Sequence, residues 1–237
     1  MALKYVLFDL DGTLLPMDHK TFMKAYFGAL ARRLAARGYD PQELIDVIWK
    51  GTAAMVQGCE GKTNEQVFWD KFAEYYGEKA ITDQQYFDEY YVEEFDNAQA
   101  VCGFTPKAAE TIALCKSLGL RVALATNPFF PQIATRKRIA WAGLSPSDFE
   151  VFTTYEDSYS CKPNTRYFEE VMERIGAKVE ECMMVGNDVT EDMAAAKLGM
   201  RVFLLTDCII NKNNEDISIY PHGGFDELMA YIREQAK

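Results

Sequence analysis

Two aspartates, one residue apart, close the most apolar segment near the N-terminus: LKYVLFDLDGTLL, residues 3–15. Neighbouring carboxylates at a strand end are electrostatically costly unless a cation or a proton resolves them. Asp9 and Asp11 are therefore the first candidates for chemistry, with Thr13 directly behind them. Three further groups stand out: Thr126–Asn127, Lys162–Pro163, and Gly186-Asn187-Asp188 with Asp192 four residues on. Each has a plainer explanation alone. Asp11-Gly12 is a common turn pair. Asn187-Asp188 with Glu191 suits a helix cap. Lys162-Pro163-Asn164 suits a helix start with proline in its first turn, and Thr126-Asn127-Pro128 suits a loop. Together and in this order they are far more specific.

The elements that must position these groups are legible as short apolar runs. Tyr5–Phe8, 120–125 (LRVALA), 182–185 (CMMV) and 201–205 (RVFLL) have buried-strand length, with 150–153 (EVFT) a weaker fifth. Helical spacing predicts helices over 105–118, 131–142, 164–175, 190–198 and 225–236. Continuous apolar strands alternating with helices predict an α/β fold, a Rossmann-like doubly wound parallel sheet covered on both faces. Ligands of such sheets bind outside the carboxyl ends of the strands, where all four groups fall. Residues 17–98 hold no convincing strand and four apolar helical stripes. They predict an all-helical insertion, 17–98, in a core made of 1–16 and 99–237, with crossings near 15–18 and 96–103.

The motifs D-x-D-G-T, T-N, K-P and G-N-D-x-x-x-D, in this order, resemble the haloacid dehalogenase-like hydrolase superfamily over nearly the whole chain. The insertion after the first motif resembles that superfamily's helical cap domain. The resemblance implies a magnesium-dependent phosphatase acting on a small phosphorylated metabolite through an aspartyl-phosphate. Asp9 would be the nucleophile. Asp11 would protonate the leaving oxygen and then deprotonate water. Thr126 and Lys162 would hold phosphoryl oxygens, with Thr13 and Asn127 beside the substrate. Mg²⁺, which takes oxygen ligands and keeps waters, would be bound by the Asp9 side chain, the Asp11 main-chain carbonyl and Asp188. Many relatives have the acid directly after the glycine, where this chain has Asn187. Asn187 is then an alternative oxygen donor, and Asp192 would order a metal-bound water or cap its neighbours.

Asp11 favours phosphoryl transfer over dehalogenation, which needs neither that acid nor a metal. A phosphomutase, a phosphonate-cleaving enzyme using an insertion lysine (Lys20, Lys24, Lys50 or Lys62), and a non-catalytic binder on the same fold remain alternatives. A helical cap over the site implies opening and closing around a small substrate.

Composition narrows the partners. Over 237 residues the net charge is −11, with 49% hydrophobic and 26% charged residues. That balance suits a globular protein with a sizeable core and argues against a nucleic-acid or anionic-membrane surface. Six scattered cysteines without a C-x-x-C pair predict reduced thiols and a cytoplasmic location. No signal-peptide pattern and no run of about 20 apolar residues is present. The expected assembly is a monomer or homodimer.

Overall fold

The computed structural model describes residues 2–237. Strands form on four of the apolar runs: β1 (Tyr5–Phe8), β2 (Arg121–Leu124), β3 (Cys182–Gly186) and β4 (Arg201–Leu205). They pair in parallel in the order β2-β1-β3-β4, and a short β5 (His222–Gly223) joins beside β4. Every residue of β1 and β3 is buried, which is why these strands read as unbroken apolar runs. Phe8 stands level with Leu124 on one side and Val185 on the other. The chain therefore leaves all three strands at one height. Asp9 N–H donates to Val185 O at 2.9 Å, and Ala125 N–H donates to Phe8 O at 2.7 Å.

Four helices follow β1 before the chain returns to the sheet: α1 (His19–Ala35), α2 (Pro41–Gln57), α3 (Asn64–Tyr76) and α4 (Glu78–Glu93). Asp18, Asp40 and Thr63 accept backbone N–H bonds at the starts of the first three, caps worth about 1 kcal/mol each. Edge-on aromatic contacts, Trp69–Phe87 at 5.2 Å and Phe72–Phe87 at 5.4 Å, join α3 to α4. A second aromatic group reaches the sheet side, with Tyr26 against Phe130 at 5.3 Å and Phe95 stacked on Trp141 at 5.1 Å. The segments that lead into α1 and back toward the sheet lie side by side: Met17 bridges Cys102, and Gly103 N–H donates to Pro16 O at 2.7 Å. A further attachment was not expected. The first-turn N–H groups of α3, unpaired within any helix, reach across: Asn64 N–H donates to Ser158 O and Glu65 N–H to Tyr155 O, both at 2.8 Å.

The remaining helices, α5 (Pro106–Ser117), α6 (Gln132–Trp141), α7 (Thr165–Ile175) and α8 (Phe225–Gln235), cover the sheet. Val6, Phe8, Met183 and Val185 share one apolar cluster with α5, α6 and α8. Tyr5, Leu7, Cys182 and Met184 share another with α7 and the 3-10 stretch Met193–Leu198. Successive strand residues thus serve opposite faces, and the sheet is doubly wound.

Three expectations are corrected. Residues 150–153 do not form a full strand. They run along β2 with one parallel bridge, Leu124–Phe152, and bonds such as Thr153 N–H to Leu124 O at 3.1 Å. The segment 190–198 is a 3-10 stretch from Met193, because the Asp188 carboxylate takes the Thr190 and Glu191 N–H groups at 2.8 and 2.9 Å and bends the chain there. Pro163 precedes α7 rather than entering it, since Asn164 is the cap and its side chain accepts from Arg166 N–H.

Candidate active site

The loops after β1, β2 and β3 meet at the carboxyl edge of the sheet, under a cavity of about 310 Å³ that α1–α4 roof. Asp9, Asp11, Thr126, Asn127 and Asp188 all line it. Two glycines let the loops close up. Gly12 has φ 87°, and a Cβ there would lie 2.3 Å from Asn187 Nδ2. A Cβ on Gly186 would lie 2.1 Å from Asp192 Cγ. A side chain at Gly12 would push the first and fourth motifs apart, and one at Gly186 would displace the Asp192 carboxylate within the fourth.

Asp9 is held at both oxygens. Lys162 Nζ donates to Oδ1 at 2.9 Å, and Thr13 Oγ1 lies 3.1 Å from Oδ2. Lys162 is 1% exposed and also donates to Asp192 Oδ1 at 2.6 Å. Burial alone would lower the Lys162 ammonium, but Asp192 and then Asp9 outweigh it and hold it well above its usual range. Burial in turn raises the Asp192 carboxyl against the pull of Lys162. The other Asp192 oxygen accepts Asp188 N–H at 2.9 Å. Asp192 thus caps its neighbour Asp188, as one expected role had it, and also joins the third motif to the fourth through Lys162, which was not expected.

Asp11 contacts a residue that the sequence reading also missed. Arg138, on α6 and fully buried, donates from Nη1 to Asp11 Oδ2. Its guanidinium is fixed by Thr135 Oγ1 at 3.2 Å and sits 4.4 Å from the centre of the Phe130 ring. Asp11 Oδ1 is buried and has no hydrogen-bond partner. Burial raises the Asp11 carboxyl above its ordinary range, with Arg138 opposing and Asp9 adding to the rise. A signal for Arg138 existed: it shares the buried face of its helix with Ala134 and is flanked by the buried Ile139. A charge on such a face needs a partner.

Several expected contacts fall elsewhere. Lys162 was expected in the cleft and against phosphoryl oxygens, but it lies behind Asp9, away from the cavity lining. Thr13 was expected beside the substrate; the residue is 1% exposed and its hydroxyl lies between Asp9 and Asn187, 3.0 Å from Asn187 Oδ1. Asn127 does line the cavity, but its amide is engaged. Oδ1 accepts Lys162 N–H at 3.2 Å, and Nδ2 donates to Glu191 Oε2 at 2.8 Å. Asn187 Nδ2 donates to Cys208 O at 2.7 Å, so its amide ties loops together. Asp188 keeps one oxygen for the turn that follows and lines the cavity with the two N-terminal aspartates. Among the described residues no three His, Cys, Asp or Glu side chains form a ready-made metal cluster. A site of two carboxylates and a main-chain carbonyl is not such a cluster, and Mg²⁺ is commonly held by one or two carboxylates plus waters.

The family model for haloacid dehalogenase-like hydrolases matches residues 3–199. A glyceraldehyde 3-phosphate phosphatase of Methanothermobacter thermautotrophicus is 30% identical over 122 residues, 48% of this chain and 53% of that protein. The chain spans about half the length of the curated relatives it matches. Among solved structures, a predicted phosphoglycolate phosphatase of Haemophilus somnus aligns with a TM-score of 0.61 at 18% identity, covering 97% of each chain. The HAD-hydrolase YfnB of Bacillus subtilis, solved with magnesium, aligns with a TM-score of 0.57 at 18% identity, covering 98% of this chain and 99% of that one. At these identities the structural likenesses concern the fold.

Proposed function

The chain belongs to the haloacid dehalogenase-like hydrolase family, and we propose that within it the protein is a magnesium-dependent phosphomonoesterase whose nucleophile is Asp9. The observation that carries this reading is the Asp9–Asp11 pair at one cavity floor, the first clamped by Lys162 and Thr13 and the second by Arg138. Clamping fixes the direction of the Asp9 carboxylate, so attack on phosphorus costs little reorganisation. The product of that step is an aspartyl-phosphate, which splits one hard displacement into two easier ones.

Asp11 is the acid–base partner. Its burial favours the protonated form, which is the form needed to protonate a departing alkoxide. The conjugate base then takes a proton from the attacking water on the return step. Arg138 limits where the Asp11 carboxyl can turn and leaves Oδ1 for the proton. Thr126 lines the cavity and is the residue we assign to a phosphoryl oxygen. Its own carbonyl is fixed by Tyr167 OH at 2.8 Å and Thr153 Oγ1 at 2.6 Å.

The oxygen-only donor set suits Mg²⁺. Asp9, the Asp11 main-chain carbonyl and Asp188 would hold it, and it would supply positive charge where a phosphate dianion meets a row of carboxylates. We read residues 17–98 as the cap and 1–16 with 99–237 as the core. Among the described residues no helix is long and apolar enough to cross a membrane, and the six cysteines are free. Both fit a cytoplasmic enzyme on a small phosphorylated metabolite. The test is phosphate release from 4-nitrophenyl phosphate with Mg²⁺. Turnover that a chelator abolishes and Mg²⁺ restores is expected, and no turnover at any Mg²⁺ concentration would sink the reading.

A further inference from the structure

The roof of the cavity holds a pair of buried hydroxyls. Tyr26 on α1 and Tyr91 on α4 both line the cavity and are 4% and 8% exposed. Their hydroxyls share one hydrogen bond at 2.6 Å. Burial raises both phenols above their ordinary range, so both keep their protons. Two protons are present, and one is spent within the pair. Among the described residues nothing accepts the other. Trp69 Nε1, on α3 and also in the lining, is a second buried donor without an acceptor. His19, Asp88 and Lys212 bring charge to the same lining, but all three are exposed.

The pair stands close to the proposed acid. Tyr26 packs on the Phe130 ring at 5.3 Å, and the Arg138 guanidinium that holds Asp11 lies 4.4 Å from the centre of that ring. The alcohol half of a substrate, protonated from Asp11 as it departs, would extend under α1 and α4 toward these hydroxyls. A strut between two helices uses only one of the two protons. The other needs an acceptor, because a buried donor left unpaired bears its desolvation cost. Water can serve while the cavity is open to solvent. A substrate that displaces this water without putting an oxygen in its place leaves the proton unpaired, and the site discriminates against it. We infer that the Tyr26–Tyr91 pair is the specificity-determining donor of the cavity: its free proton takes an oxygen on the alcohol half of the phosphomonoester, beyond the ester bond. This inference rests on the phosphatase reading and deepens it.

The experiment uses two matched pairs of esters with Mg²⁺: 2-methoxyethyl with butyl phosphate, and 3-methoxypropyl with pentyl phosphate. Within a pair the chains are equally long and differ in one ether oxygen, which accepts a hydrogen bond but cannot donate one. In at least one pair the wild type should favour the ether by about 5- to 20-fold in kcat/KM. Tyr26→Phe combined with Tyr91→Phe removes the donor and keeps both rings. Deleting both partners of a hydrogen bond at constant shape is nearly neutral for folding. The ether preference should fall by about 5-fold or more in this double variant. Intrinsic leaving-group reactivity cancels, being the same for both enzymes. Either single substitution leaves one phenol with a free proton and should cost less than the double. If 4-nitrophenyl phosphate is turned over but the wild type prefers neither ether ester, the inference falls and the phosphatase reading stands. A preference that the double variant retains overturns the inference in the same way. If 4-nitrophenyl phosphate and all four esters resist hydrolysis, the phosphatase reading falls and this inference with it.

Discussion

The carboxyl edge of the sheet and the helical roof above it are built on opposite principles. At the edge nearly every polar side chain is committed: Lys162 to Asp9 and Asp192, Arg138 to Asp11, Asn127 to Glu191 and the Lys162 backbone. At the roof the contacts are rings against rings, such as Phe27–Trp49 at 5.4 Å and Phe68–Trp69 at 5.3 Å. A network of buried charges tolerates little change, because each group left unpaired bears its full desolvation cost. An aromatic wall can be resculpted at about 1–2 kcal/mol a step. Chemistry and substrate choice are therefore separable in this molecule, and substitutions in the two regions should differ in kind.

The largest effect belongs to the edge. Asp9→Asn should fold normally, being nearly isosteric, and lose about 10⁴-fold or more in phosphate release. Near-wild-type turnover in that variant would remove the covalent step. Asp11→Ala should lose about 10²–10⁴-fold with an alkyl phosphate. The loss with 4-nitrophenyl phosphate should be much smaller, since that leaving group departs without a proton. Equal losses on both esters would mean that Asp11 does not act as the acid.

Asp192→Ala tests the edge as a structure. It leaves Lys162 buried with one partner fewer and Asp188 N–H without its acceptor. Stability in denaturant melts should fall by about 3–5 kcal/mol; a loss under 1 kcal/mol would mean that the network adapts. Asp188→Asn keeps an oxygen for the Thr190 and Glu191 N–H groups but removes the charge. The Mg²⁺ concentration for half-maximal activity should rise by at least about 10-fold, and an unchanged value would move the metal away from Asp188. The smallest effect belongs to the roof: Trp49→Ala should leave that half-maximal Mg²⁺ concentration within about twofold of wild type while ester preference changes. A large shift in Mg²⁺ requirement would couple the two regions and break the contrast.

Much of the fold was legible because burial writes itself into short strands. Tyr5–Phe8 and 182–185 are apolar throughout, since both sheet faces are covered. β5 was not legible, because two residues in PHGG carry no pattern and pair only through Leu204 and Leu205 of β4. The four helices between β1 and β2 were visible from their apolar spacing, whereas the docking of Asn64 on Ser158 was not, for nothing local marks it.

The sequence by itself determined most of the residues that arrive at the carboxyl edge, because the first, second and fourth motifs follow strands and parallel register brings those strand ends to one level. Only the tertiary structure decided what each does there. Thr13 and Asn127 have the right chemistry for substrate but are bound to their own neighbours. Arg138 lies 127 residues from Asp11, and Lys162 lies 30 from Asp192. The physical reason is range. Helix and strand preferences arise from neighbours a few residues away, while the pairing of buried charges is settled by whichever opposite group the packed fold delivers within about 3 Å.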